Sequence, residues 1–234
     1  MGTSLSEPYP NPEQWRQILT TFPPIAVANK LLLATIPYVF RDEPLKFALF
    51  RKTIAEAFNV QPNEVFIVGS ALAGRSLKGK AIEKVFSAKS DIDTLIVSEH
   101  LFAAYVMRSF EWLRDATRKP RSDAQDKPAP VPRLDDEQNK CLYRLSDNAC
   151  QGIWRPDSLP PNASIRAEFF ERFSSASLNV LGLQLSENTV SKTTGRIARS
   201  YDDAVENLAK SIHRLGRELD DLGKADQSAN SSAS

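Results

Sequence analysis

Two short apolar runs constrain this chain more than anything else in it. The first, Glu64-Val65-Phe66-Ile67-Val68, stops at Gly69. The second is entered through two charges and ends apolar, Asp91-Ile92-Asp93-Thr94-Leu95-Ile96-Val97. Both are too short for a helix and are bounded by turn residues, so each reads as a buried strand. Side chains alternate along a strand, so Asp91 and Asp93 stand on one side while Ile92 points into the core. Two carboxylates held side by side repel each other. A strand that begins this way needs something to neutralise it.

Helices occupy most of the remaining sequence. Asn11 to Ala34 reads as helical material punctuated by Pro12, Pro23 and Pro24. Asp42-Glu43-Pro44 reads as a helix entry with Asp42 as cap, because proline suits the first turn. From there Leu45, Ala48, Leu49, Thr53, Ile54, Ala55 and Phe58 follow helical spacing, and Gln61-Pro62-Asn63 ends the helix. Further helices are expected over 101–114, 137–152, 164–182 and 200–222. The last has an apolar face of Ala204, Leu208, Ile212, Leu215 and Leu219. Thr189 to Ala198 is β-branched enough for a third strand. The proline- and charge-rich stretch from Arg118 to Asp136 reads as an exposed loop. Residues 1–12 and the tail from Lys224 have the composition of segments without stable structure.

A divalent cation would remove the repulsion between Asp91 and Asp93. Magnesium favours one or two carboxylates together with phosphate oxygens, which suits a metal that also grips a triphosphate. Gly69 allows a sharp turn and a close approach to a ligand. The Ser70 hydroxyl and backbone N–H groups there can hold phosphate. Gly74 adds a second close-approach point, and Arg75, Ser76, Lys78 and Lys80 add polar and positive groups. Taken singly, Gly-Ser after a strand is an ordinary turn and Asp-x-Asp is common on loops. Their order, apolar strand, Gly-Ser, spacer, Ser-Asp-Ile-Asp, apolar strand, is what singles them out.

With those residues quoted, the sequence resembles the nucleotidyltransferase superfamily of DNA polymerase β-like fold. Gly69-Ser70-Ala71-Leu72-Ala73-Gly74 fits that family's Gly-Ser-x-x-x-Gly, and Ser90-Asp91-Ile92-Asp93 fits its Ser-Asp-x-Asp. The resemblance implies an α+β fold: a small mixed sheet with flanking helices and a helical insertion. It implies a single domain over 13–223, with core segments 45–100 and 186–222 and the insertion at 101–185. It also implies that Gly69 and Ser70, with Gly74, Arg75, Ser76 and Ser90, contact a nucleotide, and that Asp91 and Asp93 bind catalytic magnesium or manganese. Glu64 to Val97 carries the likeness, with Pro37-Tyr38-Val39-Phe40 and the Arg51 helix similar to bacterial relatives. The chain departs from the family in two respects. The spacer from Ala71 to Ser90 is about twice the usual length, implying an extra loop over the site. No acid lies on the expected third strand, where members usually carry a third carboxylate. That strand offers Ser191, Lys192, Thr193 and Arg196, with Glu187 before it and Asp202 after it.

Bulk properties narrow the function further. A net charge of +1 gives no basic field for tight non-specific binding to nucleic acid. Two cysteines, Cys141 and Cys150, come without the histidines or further cysteines of a zinc site and read as reduced, packed thiols. No membrane span or signal segment is expected, and a cytoplasmic protein is. His100 and His213 read as surface or capping residues, and Trp15, Trp112 and Trp154 as packing residues. Lys192, Arg196 and Arg199 read as a solvated basic face or a phosphate contact. Three functions follow in order. One is a transferase moving NMP from an NTP, ATP foremost, to a hydroxyl on a protein, an RNA or a small molecule. Another is a catalytically reduced nucleotide- or partner-binding module, as in a toxin–antitoxin or defence pair. The last is a helical interaction protein in which Asp91-Ile92-Asp93 lies away from Gly69.

Overall fold

The computed structural model describes residues 9–87, 89–118, 135–182 and 193–231. Among them run helices α1 (Pro12–Thr21), α2 (Pro24–Ala34) and α3 (Pro44–Phe58), strand β1 (Val65–Val68), the short helix α4 (Gly69–Ala73) and strand β2 (Ile92–Val97). They are followed by α5 (Glu99–Arg118), α6 (Asp136–Cys150), β3 (Ile153–Trp154), α7 (Ser164–Asn179), β4 (Thr193–Ala198) and α8 (Tyr201–Ser231). The fold is α+β, as expected. No described helix is long and apolar enough to cross a membrane.

Local chemistry sets the helix ends. α1 starts at Pro12 under a capping box, with Asn11 and Gln14 exchanging bonds between side chain and backbone. α3 ends at Asn59, whose φ of 53° is the left-handed turn that terminates helices. Asp42 does not cap α3: the cap position is Glu43, without a side-chain bond, and Asp42 pairs with Arg41 instead. The apolar face of α3 also differs from expectation. Leu45 is 86% exposed and Leu49 half-exposed, whereas Phe50, Ile54, Ala55 and Phe58 are buried. The helix is rotated so that the i, i+4, i+8 row beginning at Phe50 meets the core. α8 buries Ala204, Leu208, Ile212, Leu215 and Leu219 as its spacing requires. It runs on past Leu222 to Ser231, because extending an existing helix costs far less than starting one.

The four strands form one sheet in the order β1-β2-β4-β3. β1 and β2 are antiparallel, β2 and β4 parallel, β4 and β3 antiparallel. β3 is two residues long and comes from the segment expected to be a separate helical insertion; it closes the far edge of the sheet. Paired residues share a face, so the register sorts the side chains. Ile67, Ile92, Thr94, Ile96, Thr193, Gly195, Ile197 and Trp154 face α7. There Phe173 lies so close over Gly195 that a Cβ would sit 2.5 Å from its ring, and the Ser177 hydroxyl bonds that of Thr193 at 2.8 Å. Tyr105, Trp154, Phe169, Phe173 and Phe58 of α3 make a continuous aromatic cluster over this face. The opposite face carries Phe66, Val68, Asp93, Leu95, Thr194, Arg196 and Ala198. Tyr201, opening α8, packs beside Phe66 there, and α2 lies against α8. The Asp93 end of this second face is where the polar residues gather.

Of the remaining sequence expectations, Trp15 and Trp154 are buried, as is Cys141, whose thiol donates to the Ser158 carbonyl at 3.0 Å. Cys150 is exposed rather than packed, being the last residue of α6. His100 is exposed and its Nδ1 pairs with the Ser98 hydroxyl. Most of the expected 118–136 loop, and Glu187, Ser191 and Lys192, lie outside the described residues.

Candidate functional site

β1 hands the chain directly to its turn beside Asp93. Val68, the last residue of β1, pairs with Asp93 in the antiparallel ladder, and the next residue is Gly69. Gly69 has φ of +68°, a conformation that favours glycine, and a Cβ there would lie 2.9 Å from Asp93 Oδ2. Gly69, on one side of the long spacer, is therefore brought beside Asp93 on the other. The expectation attached to the third reading, that Asp91-Ile92-Asp93 lies away from Gly69, is not met. Ser70 follows, half-buried, and its hydroxyl makes no hydrogen bond among the described residues. α4 spans five residues, too few for its dipole to supply much anion affinity. Positive charge has to come from side chains.

Asp93 Oδ1 accepts a hydrogen bond from the Thr194 hydroxyl at 3.0 Å, which fixes the carboxylate between β4 and the Gly69 turn. Asp91 lies just before β2, exposed, and has no hydrogen bond or ion pair among the described residues. The exposed–buried–exposed sequence of Asp91, Ile92 and Asp93 keeps both carboxylates on the solvent side. Ser90 sets up this entry: its N–H donates to Ser87 O at 2.9 Å, and its hydroxyl accepts from the Ser87 N–H at 3.2 Å.

Gly74, Arg75 and Ser76 serve the fold of the long spacer. Gly74 caps α4 at φ +79°, and a Cβ on it would come within 2.7 Å of the Tyr38 ring. Arg75 bridges to Val85 in backbone pairing, and its Nη1 donates to Ile82 O at 3.2 Å. The Ser76 N–H donates to Lys84 O. The spacer is fastened to α8 where the Gly79 N–H donates to Glu218 Oε2 at 2.7 Å. The extra length thus folds back on itself and is anchored to the C-terminal helix.

The place beside Asp93 on the neighbouring strand is occupied by Thr194, its parallel partner. No group of three or more potential metal-ligating side chains exists among the described residues. Two residues along β4 and on the same face stands Arg196. The β3–β4 register, Ile153 with Ala198 and Trp154 with Ile197, carries the extended Arg155 opposite it. Arg155 grips Asp157 through two bonds, Nε at 3.0 Å and Nη2 at 2.8 Å. Arg196 is half-buried and makes no hydrogen bond or ion pair among the described residues. Burial pushes its guanidinium below the usual value, Arg155 adds to that, and Asp93 and Asp157 act against it. Arg199, by contrast, is committed to Asp203 through two bonds of 3.0 Å.

No protein-family model, curated protein or solved structure matches this chain. Its site is therefore weighed on its own chemistry. Two carboxylates on one side of a strand, one of them oriented by a hydroxyl, are a sufficient protein contribution for magnesium, which keeps waters and substrate oxygens as its other ligands. A set of three shared acids is not present among the described residues. The sequence singles out Gly69, Ser70, Asp91 and Asp93 and names Arg196 only as one of three basic residues; of these, the structure brings Gly69 beside Asp93. Thr194 and Arg155 are not singled out by the sequence, because the alignment of β4 and β3 beside Asp93 is a property of the sheet.

Proposed function

We propose that this face binds a magnesium–nucleoside triphosphate complex and transfers its nucleotidyl group to a hydroxyl acceptor. The reading rests on one observation, the Asp93 carboxylate held against the positive-φ turn at Gly69. Asp91 and Asp93 would hold magnesium or manganese, and Ser70 would meet a phosphate oxygen. In the reaction the acceptor oxygen attacks the α-phosphorus while the bond from that phosphorus to the bridging oxygen breaks. Pyrophosphate departs with the electron pair, and the hydroxyl proton passes to solvent. Positioning and charge neutralisation supply most of the rate in such transfers. The metal bound there would neutralise phosphate charge as the leaving group separates.

A second reading has a specific observation in its favour. Thr194 stands where a third acid would be needed to take the acceptor's proton, and a hydroxyl hydrogen-bonded to Asp93 is no base. The same site would then bind the nucleotide and act through a partner. Incubation with magnesium and each labelled NTP, with and without cell extract, separates the two. The transferase reading expects label on an acceptor for the wild type and none for Asp91→Ala/Asp93→Ala. Transfer that persists in the double variant overturns the mechanism. Magnesium-dependent nucleotide binding without transfer establishes the second reading.

A further inference from the structure

A half-buried guanidinium without a carboxylate, carbonyl or hydroxyl partner is an unusual thing for a folded chain to keep, because a charge removed from water is costly unless paired. Among the described residues, Arg196 is such a group. Its surroundings make the omission more pointed. Across the ladder stands a second arginine, Arg155, and the two acids whose charge favours the guanidinium do not bond it: Asp157 grips Arg155, and Asp93 Oδ1 accepts from Thr194. Asp203 offers no relief, since it is held by Arg199 and Ser200. The face therefore runs from paired carboxylates at Asp91 and Asp93, past the Thr194 hydroxyl, to adjoining guanidiniums at Arg196 and Arg155. A cation fits the first end and an anion the second.

The geometry points to Arg196, with Arg155 beside it, as the binding site for the terminal phosphates of a polyphosphate whose α-phosphate end lies at Asp93, so that the site selects triphosphates over monophosphates. The assignment rests on the metal–nucleotide reading of the Asp91/Asp93 end, but the anion end stands on its own residues. A forked guanidinium with all its N–H donors available is the side chain best matched to a phosphate's oxygens. It also explains why the short α4 suffices at the other end. The guanidiniums, and not a helix dipole, supply the attraction for the distal phosphates.

Calorimetric titration of the full chain with ATP, AMP and inorganic tripolyphosphate, each with and without magnesium, tests this. Arg196→Ala should bind ATP and tripolyphosphate about tenfold to a hundredfold more weakly than wild type, with AMP affinity unchanged. Arg196→Lys should recover part of the loss. Because the guanidinium has no hydrogen-bond or ion-pair partner among the described residues, Arg196→Met should melt no lower than wild type, which excludes loss of fold as the cause. ATP binding by Arg196→Ala equal to wild type overturns the assignment while leaving the metal–nucleotide reading intact. Arg196-dependent tripolyphosphate binding by a wild type indifferent to nucleotide and magnesium has the reverse meaning. It upholds the anion site and overturns the nucleotide reading. Binding of neither by wild type overturns both.

Discussion

Replacing Gly69 with alanine would put a methyl group 2.9 Å from Asp93 Oδ2 while holding the backbone at φ +68°. Left-handed backbone costs an L-residue about 1–2 kcal/mol by itself. Gly182, at φ +64° with no atom of the described residues within 4 Å of where its Cβ would be, isolates that backbone cost. Urea unfolding should show Gly69→Ala losing more stability than Gly182→Ala, the excess being the contact with Asp93; equal losses would mean that Asp93 moves aside freely. The same carboxylate has Thr194 as its partner on β4, which makes Thr194→Asp informative. A third acid beside Asp93 should lower stability without metal through like-charge repulsion, and magnesium should restore it. If the want of an acid at position 194 limits transfer, the variant should also raise the rate of label incorporation. Destabilisation that magnesium does not relieve would show that these carboxylates do not converge on a cation.

At the scale of elements, the helices around the aromatic face are tied by one acid. Glu168 of α7 accepts from Arg108 of α5 and from Arg172 one turn on, and Arg172 also donates to the Ala57 carbonyl of α3 at 2.9 Å. The bond from Arg108 holds the Glu168 carboxyl below the usual carboxylate range; burial opposes this and the Arg172 bond assists it. A carboxyl depressed in the folded state contributes stability above its unfolded pKa, about 4.3, and that contribution is lost as pH falls through the lower folded value. Melting temperatures of wild type and Glu168→Gln should therefore converge as pH drops from about 5 towards 3. A constant gap would remove Glu168 from the acid limb. Elements of this kind were unevenly legible in the sequence. α8 declares itself because burial on one side imposes a clean period, and β1 and β2 because each is a short apolar run bounded by turn residues. α3 is legible as a helix, but its buried face is not, since it carries more apolar residues than that face can use and Leu45 and Leu49 stay outside. β3 is invisible because two residues have no period, and its existence depends on Ala198 and Ile197 offering it an edge.

For the molecule as a whole, the candidate site joins positions 69, 93, 194 and 196, which meet only when β1, β2 and β4 are assembled. The motif halves were legible because each is local; the closure of the site by Thr194 and Arg196 was not, because parallel pairing between distant strands leaves no trace in spacing. That same assembly has a thermodynamic consequence. A ligand that needs all three strands cannot bind the unfolded chain, so its binding free energy adds to folding as RT ln(1 + [L]/Kd), about 2.7 kcal/mol at a hundredfold excess over Kd. Thermal unfolding with magnesium and ATP together should move upward by that linkage, rising with the logarithm of ATP concentration, and either component alone should do less. Asp91→Asn/Asp93→Asn should cancel the dependence on magnesium, whereas Arg196→Ala should leave a magnesium response with a weakened dependence on ATP. A melting curve indifferent to both in the wild type would mean that the carboxylates on β2 and the turn at Gly69 meet for the sake of the fold alone.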